Sequence, residues 1–440
     1  MLLGCPGEET GEPVDTYLGP PTETVPSFYG KVPSNLIVIS IDTFRRDAVE
    51  KYGGSADNMD YLNTLMAEGY TLDEHVSCSN WTMQSVLCGQ TGANNLDVGV
   101  VPDLSQANRA PIPDTLTTLP KVLGEHDYYS VLASGNDWFS ATWNMDLGFS
   151  WSEPATTGNA VKLYEYGTQP LIVAQSIGEA EKFYLHLHFV EPHAPYNPPD
   201  SYLDGIEALP PIDIDLSVKD EQYARNKDWD EMSDMDREDY ITHLKFRYNA
   251  ELSYFDDQLQ EVMHGLKVLG LLEDTLVVFW SDHGEAFFEH EYQTHAYSFH
   301  RTENDAIAFF WAENIVPGSF DGPTTHADIA PNILNLLTGE VPKEMTGLLI
   351  NDVKDDRVRY AIAAGKQGLE QSVRSGDLKL IYDWGDGGKE LYDIGSDPNE
   401  TNNLYYTNSA DVTYMWTLLA PKVEQADALL KAYTPTDPGI

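Results

Sequence analysis

The sequence predicts an α/β fold: a large mixed, mainly parallel sheet sandwiched by helices, with a small C-terminal antiparallel sheet subdomain. Three observations predict it. Apolar runs of strand length at 35–41, 183–189 and 276–280 are separated by helical patterns, the order that buries parallel strands on both faces. Two of those runs deliver a carboxylate, Asp42 and Asp282, at the strand end where open α/β sheets bind ligands. From about residue 355 the pattern changes to short strands closed by one helix.

Taken in order, residues 1–30 read as an N-terminal tether rich in Gly, Pro, Glu and Thr, with ordered chain beginning near Lys31. Asn35–Ile41 is a buried strand. Residues 58–68 form a helix, with Met59, Leu62, Leu65 and Met66 at helical spacing and Gly69 as its stop. Thr82 stands at a helix start. A helix at 115–125 and strands at 129–133 and 183–189 follow. The polar, acidic, Pro-containing stretch 200–235 reads as an insertion or lid. The long helix 236–269 carries Tyr248, Leu252, Phe255, Leu259, Val262 and Leu266 on one stripe. The strand 276–280 runs into Ser281-Asp282-His283-Gly284-Glu285. A strand at 306–311 and a helix at 327–337 complete a catalytic domain spanning 31–354. Strands at 359–363, 370–374, 378–382 and 390–393 and a helix at about 413–432 make up the subdomain 355–440.

The chain has 440 residues, 42% apolar, enough for a sizeable core around one sheet. Its net charge of -45 repels nucleic acid and anionic membrane, because phosphate binding relies on Lys and Arg. An anionic substrate could bind only where a metal or local cations reverse the field. Three cysteines exclude a disulfide scaffold. Cys78 and Cys88 could pair in an oxidising compartment or stand as two buried thiols. No apolar run reaches transmembrane length. Leu2-Leu3-Gly4-Cys5 looks like a bacterial lipobox, although only four residues precede Cys5, too few for a signal peptide. Either the chain continues upstream or the match is chance. The first reading makes the protein extracytoplasmic, with a lipid anchor at Cys5.

Asp42 and Asp282-His283 are two carboxylates and an imidazole at strand ends, suitable metal ligands. Thr82, at a helix N-terminus, would meet an anion among free N–H groups. A metal beside its hydroxyl would lower the hydroxyl pKa and hold a substrate oxygen.

Asn35–Tyr52 (NLIVISIDTFRRDAVEKY) resembles the opening strand of the sulfatase branch of the alkaline phosphatase superfamily. The segments FYLHLHFVEPHAPYNPP (183–199), TLVVFWSDHGE (275–285), THADIAPNILNLLTG (325–339) and the GDLKL, ELYDIGSDPNE and NNL stretches within 374–404 resemble later motifs of that family, in its order. The resemblance spans about 34–405 and implies an alkaline-phosphatase-like fold. It also implies metal ligands at Asp42, Asp282 and His283, with Thr82 completing the site as nucleophile. His193 matches the histidine near the leaving group, and His295 the residue that contacts the substrate's anionic oxygens. Asn136 falls where sulfatases carry an active-site lysine. Each has a plainer reading: His193 bracing a Pro-rich turn, His295 in a surface loop, Asn136 capping a turn. His186 and His188 alternate along a strand, and a satisfied buried role is expected for His188.

Departures from the family pattern matter as much. Ser79–Gly92 ends in the Thr-Gly that closes the nucleophile helix, but Thr82 stands where sulfatases carry the cysteine that becomes formylglycine. Gln84 replaces the proline of the signature and Val86 its arginine; only Ser85 matches. Thr43 replaces the second aspartate of the Asp-Asp pair. A threonine hydroxyl can attack phosphorus but cannot become an aldehyde hydrate. These substitutions point to hydrolysis of phosphate monoesters, phosphodiesters or phosphonate esters through a covalent Thr82 intermediate, with one divalent metal (Ca, Mn or Zn). The expected substrate is a small-molecule or polymer-linked anionic ester. Sulfuric ester hydrolysis, phospho-group transfer and a non-catalytic, lipid-anchored binding protein are the alternatives.

Overall fold

The computed structural model describes residues 21–55, 58–100, 111–154, 159–218, 229–290, 292–364 and 368–432. In chain order the large unit contains β1 (Asn35–Ile41), α1 (Asp60–Glu68), β2 (Tyr70–Val76), α2 (Thr82–Thr91), α3 (Leu119–Glu125), β3 (Tyr128–Ser134), β4 (Trp151–Pro154) and α4 (Ala160–Ser176). It continues through β5 (Lys182–Phe189), α5 (Asp234–Val268), β6 (Thr275–Ser281), β7 (Ala286–Phe287), β8 (Gln293–Thr294), β9 (Ala308–Trp311), β10 (Gly318–Thr325) and α6 (Ile329–Leu337). One 8-stranded sheet runs in the order β10-β2-β9-β6-β1-β5-β3-β4. Only its β9 is antiparallel to both neighbours.

Period-2 alternation explains the sandwich. Ile37, Ile39 and Ile41 of β1 join Leu185, Leu187, Val277 and Phe279 in a core covered by α1, α4 and α5. Leu36 and Val38 join Tyr184, Val278 and Trp280 in a second core under α2, α3 and α6. The same parity puts Ser40, His186 and His188 on the α2 face, fully buried where β1 and β5 approach their C-terminal ends. Gly89 lets α2 lie close to the sheet: a Cβ there would sit 2.8 Å from the Trp280 indole. Val86, at the position of the family's arginine, is buried in this apolar layer.

The C-terminal strands β11 (Val358–Ala364), β12 (Leu369–Ser375), β13 (Leu378–Asp383) and β14 (Lys389–Asp393) form an antiparallel meander. Helix α7 (Ser409–Ala432) packs Met415 and Leu419 against Val373, Leu380 and Leu391. This matches the expected small sheet with a terminal helix.

Four points correct or complete the expectations. Ordered chain begins before Lys31: Phe28 is fully buried, and Tyr29 N–H donates to Asn314 O at 2.7 Å. Residues 21–30 therefore belong to the packed unit, while Cys5 lies outside the described residues. Strands β2, β4, β7, β8 and β10 and helix α4 were not expected. Cys78 and Cys88 are joined in a disulfide between the β2–α2 loop and α2. Of the stretch 200–235, residues 219–228 lie outside the described residues. The rest contributes buried Leu216, and Pro210 O accepts a hydrogen bond from His243 Nε2. No described helix is long and apolar enough to cross a membrane.

Candidate active site

Parallel pairing of β1 with β6, Ile41 beside Ser281, sets Asp42 next to Asp282 at the C-terminal edge of the sheet. Asp42, Asp282 and His283 are fully buried, and their ligand atoms lie within 4.8 Å of one another. His283 Nδ1–H donates to Gly284 O at 2.9 Å, so the lone pair of Nε2 faces the carboxylates. That nitrogen is 3.8 Å from Asp42 Oδ1 and 3.5 Å from Asp282 Oδ2. The other Asp282 oxygen accepts from the backbone N–H of Thr43 at 3.1 Å and of His283 at 2.7 Å. Thr43 reaches that geometry with a φ of 53°, a left-handed conformation costly for a β-branched residue.

Thr82 is the first residue of α2, and its hydroxyl stands 3.4 Å from His283 Nε2. Ser85, the one match to the signature, donates to Ser79 O at 2.9 Å and meets Ser77 Oγ at 2.9 Å, which fixes the turn entering the helix. Asn136 Nδ2 donates to Asp42 Oδ2 at 2.9 Å while its Oδ1 accepts from Trp138 N–H. It both caps a turn and braces the Asp42 carboxylate, so the two readings of Asn136 are compatible.

His193 and His295 come to the same place. The His295 ring centroid is 4.5 Å from that of His283 and 5.1 Å from that of His193. His295 is 5% exposed, which removes the surface-loop reading, and its flanking residues Thr294 and Ala296 have φ values of 74° and 65°. His295 Nδ1 bonds Glu285 Oε1 at 3.1 Å, and Tyr196 OH donates to Glu285 Oε2 at 3.0 Å. His193 Nδ1–H donates to Ala194 O at 2.6 Å and the residue stays partly exposed.

Sequence reasoning missed two contributors. His188 Nε2 points at Asp42 Oδ2 from 3.6 Å and has no hydrogen-bond partner, while Nδ1 meets Ser40 Oγ at 2.8 Å. The expectation of a satisfied buried histidine is corrected on this point. The signal was its parity with Asp42 across β1 and β5. Glu285 was visible only as the end of a motif, and its pairing with His295 depends on the β7–β8 hairpin.

The electrostatics fit a divalent ion. Burial, then the charge of Asp42, pushes the Asp282 carboxyl well above its ordinary range. Burial also acts upward on Asp42, but the His193, His188 and His283 imidazoles outweigh it and hold that carboxyl well down. Burial, then His295, lowers His283 to about 3, so its imidazole is neutral at physiological pH. Asp42 Oδ1 and Asp282 Oδ2 are buried without hydrogen-bond partners. Two such oxygens beside an unprotonated imidazole nitrogen are a costly arrangement unless a cation satisfies them. The O,O,N donor set suits Ca, Mn or Zn. Among the described residues this is the one cluster of three or more His, Cys, Asp or Glu able to hold a metal. Among the described residues, the hydrogen-bond and ion-pair partners of Asp42, Thr82, Asp282 and His283 are imidazoles, carboxylates, a hydroxyl, an amide and backbone groups, with no lysine or arginine.

Comparison with known proteins agrees with this architecture. An arylsulfatase of Clostridium perfringens is 24% identical over 277 residues, covering 58% of this chain and 57% of that protein. The chain thus matches little more than half the length of that relative. The phosphonate monoester hydrolase of Silicibacter pomeroyi superposes with a TM-score of 0.67 at 17% identity, covering 92% of this chain and 96% of that one. BT4656, solved with its substrate D-glucosamine-2-N,6-O-disulfate, superposes with a TM-score of 0.69 at 16% identity, covering 93% and 100%. These likenesses in structure establish the fold. The sulfatase family model matches residues 34–339, most of the chain including every residue of the site, and the protein belongs to the sulfatase family.

Proposed function

We propose that the chain is a metal-dependent ester hydrolase in which Thr82 is the nucleophile toward phosphate monoesters, phosphodiesters or phosphonate esters. The observation that carries this is the Thr82 hydroxyl at the first position of α2, 3.4 Å from His283 Nε2. Asp42, Asp282 and His283 would hold one divalent metal, which supplies Lewis acidity and a more acidic nucleophile when bound. Thr82 Oγ1 gives up its proton to solvent and attacks phosphorus. The N–H groups opening α2 receive the non-bridging oxygens. His295, oriented by Glu285, holds a further oxygen. The P–O bond to the leaving alcohol breaks, and His193 protonates that oxygen. Water then cleaves the Thr82 ester.

The test is a screen of aryl phosphate, phosphodiester, phosphonate and sulfate esters under Ca, Mn and Zn. Phosphorus esters should be turned over at least about tenfold faster than the sulfate ester, roughly 1.4 kcal/mol in barrier. A faster sulfate ester would overturn the choice of phosphorus and favour the family's sulfuric ester chemistry.

The proposed compartment is extracytoplasmic. The Cys78–Cys88 disulfide supports this, because such bonds persist where the environment is oxidising. A lipid anchor at Cys5 is proposed with it. Expressed with its upstream genomic sequence, the protein should partition with membranes, and Cys5→Ser should release it. Soluble behaviour of both forms would refute the anchor.

A further inference from the structure

Three tryptophans adjoin the nucleophile. Trp81 is the residue before Thr82 and opens α2 in an extended conformation, with φ of -144° and ψ of 139°. Its ring meets that of Trp138 edge-on, with centroids 5.2 Å apart and an interplanar angle of 83°. Trp138 in turn meets Trp143 at 5.1 Å and 49°. All three are partly exposed. Asn136 ties this surface to the Asp42 carboxylate: its Oδ1 accepts from the Trp138 N–H while its Nδ2 donates to Asp42 Oδ2. The aromatic surface therefore begins at the reacting centre itself.

The two cores set where this surface lies relative to the reaction. Trp138 and Trp143 pack on the core under α2. The turn carrying His193 is rooted in the opposite core through Ala194 and Tyr196. Displacement at phosphorus puts the attacking and leaving oxygens roughly in line. Thr82 attacks from the start of α2, so the leaving alcohol departs away from α2, toward His193. Trp81 precedes Thr82 and stays on the attacking side. The groups that remain on phosphorus spread sideways from that line, over the N–H groups opening α2 and past Trp81. One of them meets the tryptophans without crossing the path of the leaving group. Phosphate and sulfate monoesters have no carbon group in that position, because their only carbon substituent is the one that leaves. Phosphodiesters and phosphonate esters keep one. Centroids 5.1 and 5.2 Å apart mean rings in contact, with no space for an ammonium group between them. The rings form a wall, not a cage, and a wall of indole edges and faces suits another flat ring.

We infer that the substrate keeps an uncharged, ring-bearing substituent on phosphorus, and that Trp81, Trp138 and Trp143 receive it. The inference rests on the proposed ester hydrolysis and narrows its substrates to phosphodiesters and phosphonate esters. The tryptophans are specificity-determining residues: they hold the part that stays on phosphorus while it is bonded to Thr82, and His193 serves the part that leaves.

The test holds the leaving group constant. The p-nitrophenyl esters of phosphate, methylphosphonate, phenylphosphonate and phosphorylcholine keep, respectively, no carbon group, a methyl, an aryl ring and a cation on phosphorus. With each rate divided by that of the uncatalysed ester, the phenylphosphonate should exceed the methylphosphonate by roughly tenfold or more in kcat/KM. Trp138→Ala should shrink that ratio to within about threefold, mainly through KM, with metal content retained. Trp138→Phe keeps a ring and should restore most of the ratio. Trp81→Leu is the second variant if Trp138→Ala fails to fold or loses metal. Calorimetry with the products phenylphosphonate and methylphosphonate, on the wild-type and Thr82→Ala proteins, reads binding without turnover. A ratio near one in the wild type, or a ratio that Trp138→Ala leaves unchanged, overturns the tryptophan site and leaves the proposed hydrolysis standing. Fastest turnover of the phosphate overturns the narrowing to diesters and phosphonates, and fastest turnover of the phosphorylcholine ester overturns the uncharged substituent. Selective binding of phenylphosphonate with no turnover of any ester supports the tryptophan site and overturns the hydrolysis.

Discussion

Thr82→Ala is expected to remove turnover almost completely while leaving the fold unchanged. The side chain is 2% exposed, and the substitution deletes a hydroxyl and a methyl at a helix N-terminus whose preceding turn is fixed by Ser77 and Ser85. The turn therefore survives, while the attacking atom is lost. Losing a nucleophile costs roughly 10⁴ or more in rate where the remaining site does not compensate. Thr82→Ser keeps the oxygen at the same position and should retain part of the activity. Thr82→Cys should not acquire sulfatase activity by maturation to formylglycine. Gln84 and Val86 still break the signature, and Val86 is buried in the apolar layer under α2 rather than presented as an arginine. The decisive readout is mass spectrometry of protein quenched during turnover. A substrate-derived mass on the peptide containing Thr82 supports the covalent route. Near wild-type turnover by Thr82→Ala would end it.

Whether an element was legible in the sequence depended on how local its signal was. The strands β1, β5 and β6 are dominated by apolar residues because both faces are covered, and such runs are hard to mistake. The pairing of Asp42 with Asp282 also followed, since both end strands of the same parallel sheet. Strand β10 was hidden by its composition: Gly318, Gly322 and Pro323 read as loop. The strand tolerates them because it is at the sheet edge and its register breaks between Phe320 and Pro323. Helix α4 was masked by Gly167 and Pro170, yet Gly167 is where it meets Leu187 and Ala133; a Cβ would lie 2.9 Å from the Leu187 side chain. Tertiary contact, not propensity, explains that residue.

The site shows the same division. Asp42, Thr82, Asp282 and His283 sit at ends of elements, so a strand or helix boundary places them. His188 and Glu285 act through contacts across strands and across the β7–β8 hairpin. Ser40 sits between His186 Nε2 and His188 Nδ1 at 2.9 and 2.8 Å, and this arrangement aims His188 at Asp42. It depends on β1 and β5 pairing in one register: a one-residue slip would turn both histidines to the other face. No local pattern in either strand encodes that register.

Purified protein should carry about one equivalent of divalent metal per chain, and Asp282→Ala should lose nearly all of it. Asp282 is the informative ligand because its two oxygens have separate tasks. Oδ1 is occupied by the N–H groups of Thr43 and His283, and Oδ2 is buried with no hydrogen-bond partner. Alanine removes both, so the backbone after β1 and β6 loses its acceptor along with the metal's donor. Asp282→Asn separates the two effects. The amide oxygen can still accept from Thr43 and His283, but the charge that attracts the cation is gone. Metal content should therefore fall in both variants, with the larger loss of thermal stability in Asp282→Ala. Asn136→Ala tests the layer behind the ligands. It removes the donor to Asp42 Oδ2 and should weaken metal binding by roughly tenfold to a hundredfold. Chelation of the wild type should lower its thermal midpoint, since metal at a hundred times its Kd stabilises by about 2.7 kcal/mol. Elemental analysis and a melting curve with and without chelator read all of this out. Unchanged metal content in Asp282→Ala would remove the ion from the Asp42–Asp282–His283 site.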